Sequence, residues 1–200
     1  MGPPRGPWVL PGTYTVKVAF GGKEASQTVV VEDDPRITAS DADRRAWYDA
    51  QLEAGRVWAK ADAADKAAKS LKKQLEELKG SFEKKKETNE AVTKGVKELL
   101  DKVEPLAKRL TADTPMGFAG APLAEDPEPL LPRARSLGFG LSGIVAPPTE
   151  QQRAVMVRTA RDVDEVAAAL RAMQQADVPA LNKLIYESGI GRIDAGKLLP

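Results

Sequence analysis

Residues 47–80, WYDAQLEAGRVWAKADAADKAAKSLKKQLEELKG, decide the fold. Trp47, Ala50, Ala54, Val57, Ala61, Ala64, Ala68, Leu71, Leu75 and Leu78 follow one another at steps of three and four, so they share one stripe of a helix. The stripe predicts a helix from about Asp41 to Lys79, with Thr38 or Ser40 as N-cap. Gly80-Ser81 then supplies a C-cap and a fresh N-cap. A second stripe follows at Val92, Val96, Leu99, Val103, Leu106 and Leu110, interrupted by Pro105, which is expected to kink the helix or restart it.

Folding back at Gly80-Ser81 sets Ala64 beside Val96, Ala61 beside Leu99, Val57 beside Val103 and Trp47 beside Leu110. Towards the turn, Leu71, Leu75 and Leu78 meet Asn89, Lys85 and Phe82, so the tip is expected to be poorly buried. The first helix should be roughly 58 Å long and the third about 27 Å, so the tip is also expected to project. It carries Lys69, Lys72, Lys73, Lys79, Lys84, Lys85 and Lys86 against Glu76, Glu77, Glu83, Glu87 and Glu90.

Downstream, residues 113–127 are rich in Pro and Gly and read as a linker. Leu130, Ala134, Leu137, Leu141 and Ile144 predict a third helix from about Glu128 to Val145, weakened by Gly138, Gly140 and Gly143 and closed by Pro147-Pro148. Thr149 and Gln152 have the spacing of a capping box. Val155, Ala160, Val163, Val166, Leu170 and Met173 carry a fourth helix to about Ala176. Asp177 is positioned to cap a short last helix through Leu181, Leu184 and Ile185, ending near Gly189.

Upstream the period is two. Tyr14, Val16, Val18 and Phe20 alternate with Thr13, Thr15, Lys17 and Ala19, and after Gly21-Gly22 the chain returns to Val29, Val30 and Val31. This predicts a hairpin with a primed turn, with Val29 opposite Tyr14, Ala25 opposite Val18 and Gln27 opposite Val16. Trp8, Val9 and Leu10 are placed to add a short third strand. A lone hairpin buries neither face and needs more sheet or a helix to lean on. The expectation is therefore a mainly α protein, an antiparallel helical bundle with a long hairpin, preceded by a β-hairpin that is the remnant of a truncated β-sandwich or, alternatively, simply caps the helical part. The segments are 1–36 for the sandwich strands, 37–112 for the helical hairpin, 113–127 for the linker, 128–190 for the shorter helices and 191–200 for a tail.

Composition excludes chemistry. The 200 residues contain no Cys and no His, and aromatics make up 5%. Disulfide frameworks, thiol nucleophiles, Cys-based zinc sites and Ser-His-Asp arrangements all require the missing types. Thirty basic and twenty-nine acidic residues give a net charge of +1, so no global field favours nucleic acid or anionic lipid. No run approaches the roughly 18–20 apolar residues that cross a bilayer, and residues 1–12 lack the apolar core of a signal peptide.

Several motifs mimic functional ones. GFGLSG at 138–143 matches the dinucleotide fingerprint, but no strand precedes it and Pro147-Pro148 blocks a long helix after it, so close helix packing is the preferred reading. Ser142 within GLSG resembles a nucleophile elbow short by one residue, with no His as base. Lys84-Lys85-Lys86 reads as a solvated helix face. Asp33-Asp34, Asp41 with Asp43, and Asp162 with Asp164 and Glu165 read as turn formers and helix N-terminal charges. Trp47 and Trp58 read as core packing. No catalytic, cofactor-binding or metal residue is assigned, and no cofactor is expected.

GPWVLPGTYTVKV at 6–18, then Gly21-Gly22-Lys23, then VVVEDDPR at 29–36, resembles the junction near the C-terminus of large bacterial BNR-repeat (Asp-box) proteins, the sortilin N-terminal-domain-like β-propeller family often labelled glycosyl hydrolase. Thr38-Ala39-Ser40, APPTEQ at 146–151 and DVPALN at 177–182 are similar to the Ala-rich helical region that closes such proteins. The resemblance covers nearly the whole chain, but the Asp-box pattern of propeller blades is absent. It implies that the β-hairpin is the remnant of an Ig-like or fibronectin-like sandwich, and that the chain is a non-catalytic C-terminal accessory region of a longer, exported protein that packs on or presents a propeller, with that propeller as partner; charge and hydropathy point to neither nucleic acid nor membrane. The alternative is a helical interaction module that self-associates through Leu71, Leu75, Leu78 and Phe82 at the hairpin tip.

Overall fold

The computed structural model describes residues 6–84, 89–111, 129–188 and 192–196. Strands β1 (Gly12–Phe20) and β2 (Lys23–Val31) form an antiparallel hairpin in the expected register, with Tyr14 paired to Val29, Val16 to Gln27 and Val18 to Ala25. Gly21 and Gly22 adopt φ of 56° and 75°, the left-handed pair that a two-residue primed turn requires. Trp8, Val9 and Leu10 add no strand. Pro11 follows them directly, and the Leu10 carbonyl accepts a hydrogen bond from the Tyr14 hydroxyl at 2.6 Å.

Among the described residues five helices follow: α1 (Asp41–Lys84), α2 (Glu90–Leu110), α3 (Leu130–Leu141), α4 (Glu150–Ala172) and α5 (Val178–Glu187). Ser40 opens α1, its Oγ accepting from the Asp43 N–H and donating to the Asp43 carboxylate at 2.7 Å. The apolar stripe is buried as the spacing requires, from Trp47 through Ala61, Ala64 and Ala68 to Leu71 and Leu75.

Gly80-Ser81 does not end the helix, contrary to expectation. α1 runs through both residues, and the Ser81 hydroxyl returns a hydrogen bond to the Leu78 carbonyl at 2.7 Å. An interior Gly costs about 1 kcal/mol. One more turn puts Phe82 into the core, and burying a Phe side chain contributes about 1.5–3 kcal/mol. The N-cap of α2 is Asn89, whose Oδ1 accepts from the Ala91 and Val92 N–H groups. α2 is continuous past Pro105, so of the two expected outcomes, a kink or a restart, the restart does not occur.

Moving the turn displaces the whole α1–α2 register. Thr111 donates to the Asp65 carboxylate and Lys72 pairs with Glu104, whereas a turn at Gly80-Ser81 would set Thr111 near residue 49. The offset is roughly four helical turns, so Ala64 does not lie level with Val96, nor Trp47 with Leu110. The first half of α1 is instead covered by α3 and α4, where Ala50 and Ala54 pack with Leu141 and Met156. Trp47 donates its Nε1–H to the Leu141 carbonyl at 2.7 Å.

The tip is covered too, against expectation. Leu71, Leu75 and Phe82 are buried and Leu78 packs against the same core. α5 lies on α2, the Asn89 amide donates to the Ser188 hydroxyl, and Ile193 from the segment expected to be a tail is buried in this core.

α3 stops at Leu141 rather than Val145. The Ser142 N–H and hydroxyl both turn back to the Phe139 carbonyl, Gly138 and Gly140 give the helix little propensity, and Ile144 leaves the stripe to stand 77% exposed. α4 begins with the expected capping box at Thr149 and Gln152. Its first turns bury Met156 and Thr159 rather than Val155 and Ala160, which are half-buried.

Asp177 caps nothing. The chain passes from α4 to α5 through a π turn, Met173–Asp177, in which the Val178 N–H reaches the Met173 carbonyl. Pro179 follows, and its ring, which crowds the carbonyl four residues back, is accommodated by the wider turn. The Asp177 carboxylate pairs with Lys102 at 2.9 Å. The expected linker at 113–127, Lys85, Lys86, Glu87 and the helix end at Gly189 lie outside the described residues, as do the side chains of Glu83 and Lys84.

Candidate functional site

Two neighbouring surfaces stand out from the packed helices. The first is the hairpin. One face carries Tyr14, Val16, Val18 and Phe20 opposite Val29, Gln27, Ala25 and Lys23; the other is mostly polar and holds a Lys17–Glu24 ion pair. Alternation of this kind belongs to a sheet buried on one side. Here the apolar side is open, with Val18 61% and Phe20 89% exposed. The hairpin is tied to α1 through the segment that follows β2 instead, where Arg44 pairs with Asp33 and donates to the Ile37 carbonyl at 2.9 Å. Asp34 receives a bidentate hydrogen bond from Arg36, which holds its carboxyl below the usual range.

The second surface is an open cleft of about 620 Å³ at the root of the hairpin. Trp8, Ile37, Trp47, Ile144, Val145 and Pro147 give it a predominantly apolar lining. It exists because α3 ends early: the 142–147 loop swings away from the α1 stripe and leaves Trp47 facing the space. Of its polar side chains, Asp43 is engaged with Ser40 and Ser142 with the Phe139 carbonyl, and Thr38 completes the set. The lining offers shape and apolar area, which suits binding.

The acidic groups singled out in the sequence do not converge. Asp33 and Asp34 form turn contacts near the hairpin, and Asp41 and Asp43 lie in the first turn of α1, as expected. Asp162, Asp164 and Glu165 are not helix N-terminal charges. They sit in the middle of α4 and reach three other helices: Asp162 pairs with Arg133 of α3 and with Arg161, Asp164 with Lys60 of α1, and Glu165 with Arg109 of α2. Burial alone would raise the Asp162 pKa, and the hydrogen bonds from Arg133 and Arg161 outweigh it, so the carboxyl titrates below its ordinary value. The Arg109 hydrogen bonds lower Glu165 in the same way. Among the described residues no three acidic groups lie close enough to hold a metal ion.

The GFGLSG motif occupies the C-terminal turn of α3 and its cap, the end at which helix carbonyls rather than N–H groups are free. Close helix packing does not explain its glycines. A Cβ at Gly138 or Gly143 would touch nothing within 4 Å, and at Gly140 it would meet only the Gln152 amide at 3.9 Å. What the turn does offer is carbonyls: Gly140 accepts from Gln152 and Leu141 from Trp47. Trp47 and Trp58 are core-facing, as expected.

Sequence reasoning missed the cleft, because it depends on where α3 stops. It also missed the buried polar residues at helix contacts: Asp65, which accepts from Thr111 and Lys69, and Gln174. Set against protein-family models, curated proteins and solved structures, the chain matches none.

Proposed function

We propose that this chain is a non-catalytic accessory region of a larger bacterial protein of the BNR-repeat β-propeller kind. The hairpin supplies strands to a sandwich module, and the helical bundle packs on or presents the propeller. One observation carries the reading: the apolar face of the hairpin, with Val16, Val18, Phe20 and Val29 exposed, is patterned for burial, and none of the described helices covers it. Two strands cannot bury a face between themselves. The face is also small. Two strands of nine residues span about 30 by 10 Å, well below the roughly 800 Å² per partner of a free-standing interface. A small contact suffices when the partner is tethered, because linkage supplies a high effective concentration.

The test is hydrogen exchange on this chain alone and joined to the segment encoded upstream of Met1. The reading expects that segment to hold strands and Asp-box blades, and expects the β1 and β2 amides to gain strong protection in the joined protein. Amides from Val16 to Phe20 that exchange equally fast in both would overturn it. Glycan or peptide turnover by the purified chain, lost on replacing one Asp or Glu, would overturn the non-catalytic part.

A further inference from the structure

At the far end of the bundle, residues 192–196, RIDAG, lie extended in a groove between α1 and α5, and side-chain amides grip their backbone. Asn182 of α5 holds both main-chain groups of Ile193: the Ile193 N–H donates to Oδ1 at 2.8 Å and the Ile193 carbonyl accepts from Nδ2 at 2.8 Å. On the opposite side Gln74 of α1 does the same for Asp194, accepting from its N–H at 2.8 Å and donating to its carbonyl at 3.1 Å. Gln174, in the π turn, donates to the Ala195 carbonyl at 2.7 Å. Successive residues are thus held from alternate sides, the geometry of a strand between two neighbours. Side chains alternate as well: Ile193 is buried in the main core and Ala195 packs against it, while Arg192 and Asp194 point outward. Gly196, with φ of 71°, turns its N–H back to the Asp194 carboxylate and closes the extended stretch.

Nothing in this grip depends on residue identity except at two positions. The amides read N–H and C=O groups that every residue but Pro possesses, and the only side chains enclosed are an aliphatic one and a small one. Such a site takes affinity from main-chain hydrogen bonds and specificity from alternate pockets. No backbone–backbone bond ties residues 192–196 to the helices among the described residues, so the segment is held by side chains alone.

We propose that the groove formed by Gln74, Gln174 and Asn182 is a receptor for extended peptides, and that residues 192–196 are its exchangeable internal ligand. A segment of another protein displaces them if it presents an aliphatic residue in the Ile193 pocket, any residue but Pro next, and a small residue after that. The internal segment acts as a competitor, so the groove answers only to a partner at high local concentration.

The experiment uses the full chain and a fluorescein-labelled, C-terminally amidated RIDAG peptide, followed by anisotropy. Ile193→Asp expels the internal segment and is expected to bind the peptide at least tenfold more tightly than the unmodified chain. Adding Asn182→Leu is expected to weaken that binding at least tenfold, and a peptide with Asp in place of Ile is expected not to bind. Equal binding to the unmodified chain and to Ile193→Asp, or binding indifferent to Asn182→Leu, overturns the proposal. Should Ile193→Asp fail to fold by circular dichroism, the unmodified chain decides. Excess unlabelled peptide is expected to speed hydrogen exchange at the Ile193 and Asp194 amides several-fold and leave Ile185 in α5 unchanged; no acceleration overturns the proposal.

Discussion

Replacing Gly80 by Ala separates a helix that runs through this position from one that ends at it. Gly80 lies inside α1, with Leu78 before it and Phe82 after it both packed in the core. Its φ is not positive, and a Cβ built on it meets no atom within 4 Å. Ala therefore collects the full difference in helix propensity, about 0.8–1.0 kcal/mol, with no strain to offset it. In a chain of this size that corresponds to about 2–4 °C in Tm. Gly55 is equally open, and the two sites are about 37 Å apart along the helix, so their gains should add to about 2 kcal/mol. Gly95 is the internal control: a Cβ there would come within 3.0 Å of Leu181 Cδ1, a buried side chain in a close-packed contact. Gly95→Ala is expected to fall short of Gly80→Ala by about 1 kcal/mol or more. Urea unfolding followed by circular dichroism measures all three, provided the m-value is unchanged. Were Gly80 the left-handed residue that closes a helix, its Cβ would cost about 1–2 kcal/mol, so destabilisation by Gly80→Ala would refute the continuous α1.

Four further outcomes follow from the packing. Leu75 is fully buried, so Leu75→Ala should cost about 3 kcal/mol in urea unfolding; a loss below about 1 kcal/mol would return the tip to solvent. Thr149→Ala removes the capping box of α4 and should cost about 1 kcal/mol by the same measurement. Asp162 and Glu165 titrate below their ordinary values in the folded chain, so their stabilisation is complete above the unfolded carboxylate range near pH 4 and is lost as pH falls through the lowered values. An acid titration of Tm should therefore flatten below pH 4 in Asp162→Asn, and an unchanged slope would contradict the Arg133 contact. Phe20→Ser should alter bundle stability by less than about 0.5 kcal/mol, and a larger loss would show that a helix covers the hairpin.

Local features were legible and distant ones were not. The hairpin register follows from two adjacent glycines and a period of two, so Tyr14 meets Val29 as the letters require. The Thr149 box is four residues long and forms as its spacing dictates. Which side chains of α1 turn inward was also readable, because a stripe is a property of one helix. Where α1 folds back was not. Gly80-Ser81 carries the strongest local break signal, but it competes with Phe82, whose gain depends on residues from other helices. The misplaced turn then carried every cross-helix pairing with it, since a register has one origin. The acidic trio of α4 failed for a related reason: Arg133, Lys60 and Arg109 lie on three different helices, and no spacing along the chain points to them.

The same distinction bears on function. Alternation in β1 states that a face is to be buried and is silent about its cover; the described helices bury Trp47 and Leu141 and leave Val18 and Phe20 open. An apolar face left open beside a well-packed bundle is hard to attribute to a shortage of helix surface, because the cleft at its root is apolar as well. On the reading proposed above, a single module of the parent protein covers the hairpin face and the 142–147 loop together. In the joined protein, cross-links from a photoreactive residue at Phe20 and from one at Ile144 should then map to peptides of one and the same module outside this chain. Links to two separate modules would separate the surfaces and leave the hairpin without the cleft as its neighbour in function.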